Sequence, residues 1–165
     1  MTTGNFDPGI PGFQQPGGYP PPAQGVRPGT LSRRFFARLA DGVLINVIAF
    51  LLSLFVFGDN YPYLVTGLFS GVLTFGYFVL FESSGGASPG KRLLGLHVYG
   101  PGRAAKPTAG QSAIRNAFTL LAVVPYLGPL LAFVAYAVIA VTINASPTKQ
   151  GKHDELAGGT QVVRG

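Results

Sequence analysis

Arg34, Arg38 and Asp41 stand i+4 and i+3 apart at the start of an apolar run, residues 32–57, that is long enough to span a bilayer. An isolated charge near the middle of a spanning helix costs roughly 2.5–3.5 kcal/mol on insertion scales, and less near the interface. Charges placed there need partners or a task. At ~100° per residue the three share one helix face, which Ile45, Ile48 and Leu52 continue. An Asp beside an Arg at i−3 stays ionised, because the opposite charge offsets part of its desolvation. The chemistry open to this face is either a cation or proton site at Asp41 or a structural ion pair that locks helices together, and spacing alone allows both.

The remaining constellations are weaker. Residues 85–92, GGASPGKR, nearly spell the phosphate-binding loop G-x-x-x-x-G-K-[ST], but Arg92 stands where a hydroxyl would hold Mg²⁺ and an apolar helix precedes the loop where a strand is needed. His153-Asp154 suggests a metal site, yet the other histidine is His97 and no clustered carboxylates supply further ligands. Ser88 and Lys91 have the spacing of a nucleophile and base on a helix, but Pro89-Gly90 between them favours a turn. No catalytic residue, metal or cofactor is expected, and the chain is not read as an enzyme.

Composition sets the environment in which these residues work. With 47% hydrophobic and 11% charged residues, the chain has about half the ~25% charge of a soluble domain. It reads as an integral membrane protein whose main partner is the lipid bilayer. Twelve basic and six acidic residues give a net +6. The basic residues flank apolar runs and form no stripe with interleaved aromatics, which excludes nucleic acid as the partner. The absence of cysteine rules out disulfides and thiolate sites.

The elements that position the charges follow in order. Residues 1–31 hold seven of the fourteen prolines and seven glycines and almost no aliphatics, so this segment is predicted to be a disordered cytoplasmic tail. Its Tyr19-Pro20-Pro21-Pro22 run favours polyproline II and offers a docking point for a protein partner. Ser32 is predicted to cap a first span over about 35–57, whose basic flank faces the cytoplasm. The turn at Gly58-Asp59-Asn60-Tyr61-Pro62 falls outside by the positive-inside rule. A second span, 62–81, is uncharged and ends at Glu82. Its Gly67 and Gly71 form a G-x-x-x-G pair that lets another helix approach, either the first span or a second subunit. Leu96–Tyr99 reads as a strand, and Thr108-Ala109-Gly110-Gln111 as a capping box. From 113 to 144 only Arg115 is charged. Roughly 32 residues at ~1.5 Å each are too long for one ~30 Å core and short for two. The break at Pro125, Gly128 and Pro129 predicts a short or half-spanning third arm, 109–124, and a fourth, 128–144, that crosses back. A single kinked span is the alternative. The fold class is therefore all-α, with three to four transmembrane helices in a multi-pass protein of the cell membrane, both ends of the chain being cytoplasmic.

Three motifs give the chain a recognisable pattern. They are RFFARLAD over 34–41; Glu82 followed by Gly86, Ser88, Gly90-Lys91, Gly95-Leu96 and Val98; and His153-Asp154 with Leu156-Ala157-Gly158, Thr160 and Val162-Val163. Together they resemble the RDD family of membrane proteins, named for one arginine and two aspartates. The resemblance places the arginine on Arg34 and the aspartates on Asp41 and Asp154, with Arg38, Glu82 and Lys91 as supporting residues. Arg38 departs from a position that is usually apolar or aromatic, and Gly158-Gly159 inserts one residue before Thr160. The resemblance implies an ion or small-solute (cation/proton) transporter acting through Asp41. The alternative is a non-catalytic membrane module for interaction or assembly. Four helices are too few to enclose a pathway, so transport implies a homo-oligomer, joined through the Gly67/Gly71 face. Asp154 is expected beside one of Arg34, Arg38, Lys91 or Arg92, and Val162-Val163 is expected to pair with Leu96–Val98 as a small two-stranded cytoplasmic sheet.

Overall fold

A computed structural model of the chain describes residues 27–57 and 62–165; within these, nothing is said of the side chains of 53, 56, 57 and 62–69. The elements are β1 (Arg27–Pro28), α1 (Leu31–Phe57), α2 (Pro62–Gly85), α3 (Pro89–Leu93), β2 (Leu96–Tyr99), α4 (Ala109–Asn116), α5 (Gly128–Ala145), α6 (Lys152–Leu156) and β3 (Gln161–Arg164). Two 3₁₀ stretches, Pro101–Arg103 and Ala117–Val123, complete the order. The tail over 1–26, with its proline run, and the turn at 58–61 lie outside the described residues.

The short elements gather at one end, where α1 begins and α2 finishes. There the sheet forms in the order β1-β3-β2, with both pairings antiparallel. Val162 lies opposite Val98 and Val163 opposite His97, so the expected pairing is present. The sheet has three strands rather than two, because Arg27 and Pro28 pair with Arg164 and Val163. Residues 27–31, placed by the sequence in the disordered tail, are thus part of the fold, and Gly29 N donates to Val162 O at 2.9 Å. A small apolar core of Ala37, Leu96, Val98 and Val162 seats the sheet on α1.

Each long helix outruns its prediction by a turn at this end. α1 starts at Leu31, so Ser32 lies inside the helix instead of capping it, and α2 continues past Glu82 to Gly85. The buried residues of α1 are Arg34, Ala37, Asp41, Ile45 and Ala49. That stripe replaces the predicted continuation through Ile48 and Leu52, which face outward. Ala37 and Ala49 are small enough for close packing by neighbouring elements.

The predicted break at Pro125 is present and splits the third run from the fourth. α4 opens with the expected capping box, Thr108 Oγ1 accepting from Gln111 N and Gln111 Oε1 from Thr108 N. After Asn116 the chain tightens to a 3₁₀ stretch, and the Thr119 hydroxyl donates to Asn116 O at 2.8 Å. Eight α residues at ~1.5 Å and seven 3₁₀ residues at ~2.0 Å make roughly 26 Å, a little under a ~30 Å core. Gly71 receives this arm. A Cβ there would lie 2.6 Å from Val123 Cγ2 and 3.4 Å from Thr119 O, so Gly71 is closed off by this chain's own third arm. Neither expected occupant, the first span or a second subunit, is what Gly71 meets. The surroundings of Gly67 lie outside the described side chains. Among the described residues, two segments are long and apolar enough to cross a membrane, Leu31–Leu52 and Gly128–Ala145.

Candidate functional site

Asp41 points from α1 into the turn that opens α3, and it is 1% exposed. Its Oδ1 accepts from the Tyr77 hydroxyl at 2.7 Å and from Gly90 N at 2.7 Å, while Oδ2 accepts from the Ser88 hydroxyl at 2.5 Å. Ser88 is the N-cap of α3, and its oxygen in turn accepts from Lys91 N. Such charge-assisted hydrogen bonds are roughly twice as strong as neutral ones. The loop that resembles a phosphate-binding loop therefore turns a backbone N–H toward a carboxylate of its own chain. Only glycine fits at position 90, since a Cβ would lie 2.3 Å from Ala37 O and 2.8 Å from the Asp41 carboxylate.

The expected Arg38–Asp41 pair does not form. The two side chains have separate partners, Asp41 in the α3 turn and Arg38 on α2 and α4. The Arg38 guanidinium lies 4.0 Å from the Phe78 ring centroid and 5.0 Å from that of Phe118, and its Nη2 donates to Asn116 Oδ1 at 3.0 Å. A cation over aromatic faces is stabilised without a carboxylate. The aromatic contacts are what the unusual arginine at this position finds.

A second cluster joins α2, α3 and α4. Glu82, fully buried, takes the Lys91 ammonium on Oε1 and the Asn116 amide on Oε2 at 3.0 Å, with Arg115 Nε 3.7 Å away. Burial, the largest influence, pushes Lys91 down to about 8, and Glu82 only partly restores it. A third cluster centres on Asp154. Its Oδ2 accepts from Arg34 Nη1 at 3.1 Å and from Gly151 N at 3.2 Å, and its Oδ1 lies 3.2 Å from Arg115 Nη1 and from the Thr160 hydroxyl. Burial works to raise the Asp154 carboxyl, but the neighbouring charges, Arg115 foremost, outweigh it and hold the group well below the usual carboxylate range.

Arg34 is the hub of the sheet end. Besides Asp154, it donates to Gly29 O at 3.1 Å, to Lys149 O at 2.7 Å and to Val162 O at 3.2 Å. One planar side chain thus ties the chain before α1 to β3, to the loop after α5 and to α6. The turn after α6 that brings β3 back uses Gly158 and Gly159 at φ 87° and 91°, a region L side chains rarely adopt. The extra residue beside Thr160 belongs to this turn, where Gly159 N and Thr160 N both donate to Asp154 O.

Of the residues singled out in the sequence, Arg34 and Asp154 meet each other, as do Glu82 and Lys91, while Asp41 has a separate set of partners. Arg115 is the residue whose importance the sequence understated. It is 2% exposed and stands between Glu82 and Asp154, linking two clusters. The signal was present: a single charge in an apolar run is a site candidate by default. His97 is remote from His153, its Nε2 lying 2.7 Å from Ala105 O. Among the described residues no group of three metal-ligating side chains comes together.

A family model described as RDD family matches residues 28–158, most of the chain. The chain belongs to the RDD family. It carries an RDD membrane domain, and the arginine and two aspartates that the resemblance assigns are three buried, fully partnered groups of one polar end. No curated protein and no solved structure matches the chain. In this RDD domain three buried cations, Arg34, Lys91 and Arg115, pair with two buried carboxylates, Glu82 and Asp154.

Proposed function

We propose that the domain is a non-catalytic membrane interaction module in which Asp41 is a structural anchor and not a carrier site. The observation that supports this is the filling of both Asp41 oxygens by three donors from α2 and the α3 turn, with Gly90 closed against the carboxylate. A carrier carboxylate must exchange its ligand or proton during turnover, and this one is 1% exposed with three donors of its own chain held against it. In the same reading the protein is multi-pass in the cell membrane with both ends of the domain cytoplasmic. Support comes from the position of β1 beside β3 and from the cations Arg33, Lys106, Lys149 and Lys152 at that end, in the sense of the positive-inside rule. The tail is assigned to a protein partner through its proline run.

One observation favours the second reading, cation or proton transport through Asp41 in a homo-oligomer: the half-exposed Tyr77 links the carboxylate to the rest of the apolar bundle. Flux in proteoliposomes under an imposed Na⁺ or pH gradient separates the two. The module reading expects no flux above protein-free vesicles. It also expects Asp41→Asn to destabilise the protein by about 1–3 kcal/mol, because the charge-assisted bonds become neutral and the amide NH2 displaces one of the hydrogen bonds that the carboxylate accepts. Flux in the native protein, abolished by Asp41→Asn at unchanged thermal stability, would establish the carrier instead.

A further inference from the structure

Between α1 and α5 lies a cavity of about 650 Å³ that no part of the polar lock explains. Its polar end is lined by Arg34, Arg38, Lys91 and Arg115 together with His153, and its walls are apolar, with Leu39 and Val43 on one side and Phe133 and Ile139 on the other. No carboxylate lines it. Glu82 and Asp154 touch these cations without reaching the cavity. The positive charges are therefore compensated on one side only.

The hydrogen bonds show the same one-sidedness. Arg38 Nε, Arg115 Nε and Arg115 Nη1 are buried and have no hydrogen-bond partner. Arg115 stands near both acids, but these two nitrogens miss hydrogen-bond geometry to either. Both Arg115 nitrogens nevertheless face a carboxylate as ion pairs, at 3.7 Å from Glu82 and 3.2 Å from Asp154, so the buried donor left unmade at the head of the cavity is Arg38 Nε, and it points to an acceptor that comes from outside the chain.

The walls determine what kind of acceptor. Leu39, Val43 and Phe133 are 51%, 59% and 71% exposed. All three stand on helices long and apolar enough to cross a membrane. A free inorganic anion would use the arginines and leave these side chains without a function. An amphiphile with an acidic head and a hydrocarbon chain uses both. The volume falls within the ~300–1,000 Å³ of ordinary ligand sites, enough for a headgroup and the upper part of one chain.

We propose that the groove between α1 and α5 binds an anionic phospholipid, its phosphate diester at Arg38 and one acyl chain along Leu39, Val43 and Phe133. The proposal goes beyond the module reading and rests only on its membrane placement, not on the role of Asp41.

The chain contains no tryptophan, so a single Phe133→Trp reporter inside the groove reads the site directly. The full-length reporter protein is reconstituted into vesicles in which either phosphatidylglycerol or phosphatidylcholine, at equal mole fraction, carries brominated chains. The expected result is quenching by brominated phosphatidylglycerol with a relative association constant at least about fivefold above that of phosphatidylcholine. Two changes in the reporter background remove the preference. Arg38→Gln takes away one head-binding donor. Gly42→Leu fills the groove from a position where an added Cβ meets nothing within 4 Å, and it replaces glycine in a helix interior, so the protein retains its fold. Equal quenching by the two lipids overturns the proposal. So does a preference that survives both changes, which would belong to the basic surface at large, or one that millimolar inorganic phosphate abolishes, which would make the ligand a free anion. Failure of the protein to float with vesicles overturns the membrane placement and this proposal with it, whereas flotation without preference overturns the proposal alone.

Discussion

His153 shows how a single residue takes its properties from the buried charges around it. Burial, the largest influence, pushes its imidazole down to about 3 from 6.5; Asp154 works against it, while Arg115, Arg38 and Arg34 add to the fall. The native protein therefore keeps this histidine neutral at pH values where the unfolded chain takes up a proton. With more protons on the unfolded state, stability falls as pH falls, by up to about 1.4 kcal/mol per pH unit once below the ordinary histidine value. Asp154 adds to this only at lower pH. Its folded value is depressed, so its contribution is fully present above the ordinary carboxylate value of 3.8 and is lost below it. Thermal unfolding in detergent should therefore show midpoints that begin to drop near pH 6.5 and drop faster below about pH 4. In His153→Gln the upper part of the fall should disappear while the lower part stays. A wild-type profile flat between about pH 6.5 and 4.5 would show that the imidazole is not held neutral.

The sheet is the element-level counterpart, because it closes the polar end over α1. Its pairing was legible from Leu96–Val98 and Val162-Val163, two short β-branched or aliphatic runs with no other ladder partner. The third strand was not legible, since Arg27-Pro28 sits in proline-rich sequence and two residues carry no periodicity. Similarly, apolar periodicity gave α1, α2 and α5 almost in full, while the 3₁₀ character of Ala117–Val123 was not visible in it. Register is testable in this chain because it has no native cysteine. Tyr99 lies opposite Gln161 and His97 opposite Val163. Directly opposed Cβ atoms stand about 4.5–5.5 Å apart and diagonal ones further, whereas a disulfide needs roughly 3.5–4.5 Å. A Tyr99→Cys, Gln161→Cys pair should crosslink readily under mild oxidation, and a His97→Cys, Gln161→Cys pair should lag well behind. The reverse order would shift β3 by two residues.

At the scale of the whole molecule, the charges and the apolar helices separate into two regions that follow different physics. Asp41, Glu82 and Asp154 were each singled out in the sequence, but which donors they meet, Tyr77 and Ser88 for Asp41 and Arg115 for the other two, was not legible, because long-range contacts leave no spacing in a single sequence. What the sequence did determine is the alternation of apolar runs with basic flanks, and that alternation makes a claim about topology. The third arm, at roughly 26 Å, and α5, at ~27 Å for its 18 residues, just reach across a ~30 Å core. Tyr126, at their junction and 91% exposed, should then lie at the interface opposite the sheet. Single cysteines at Ala104, Leu156 and Tyr126, probed with a membrane-impermeant maleimide in oriented vesicles, test this. Ala104→Cys and Leu156→Cys should label from the cytoplasmic side and Tyr126→Cys from the other. Labelling of all three from one side would make the third and fourth segments a re-entrant pair. Tyr126→Cys shielded from both sides while Leu156→Cys labels from the side opposite Ala104→Cys would make them the single kinked span, an arrangement in which Asp154 and Arg34 could not pair across the membrane.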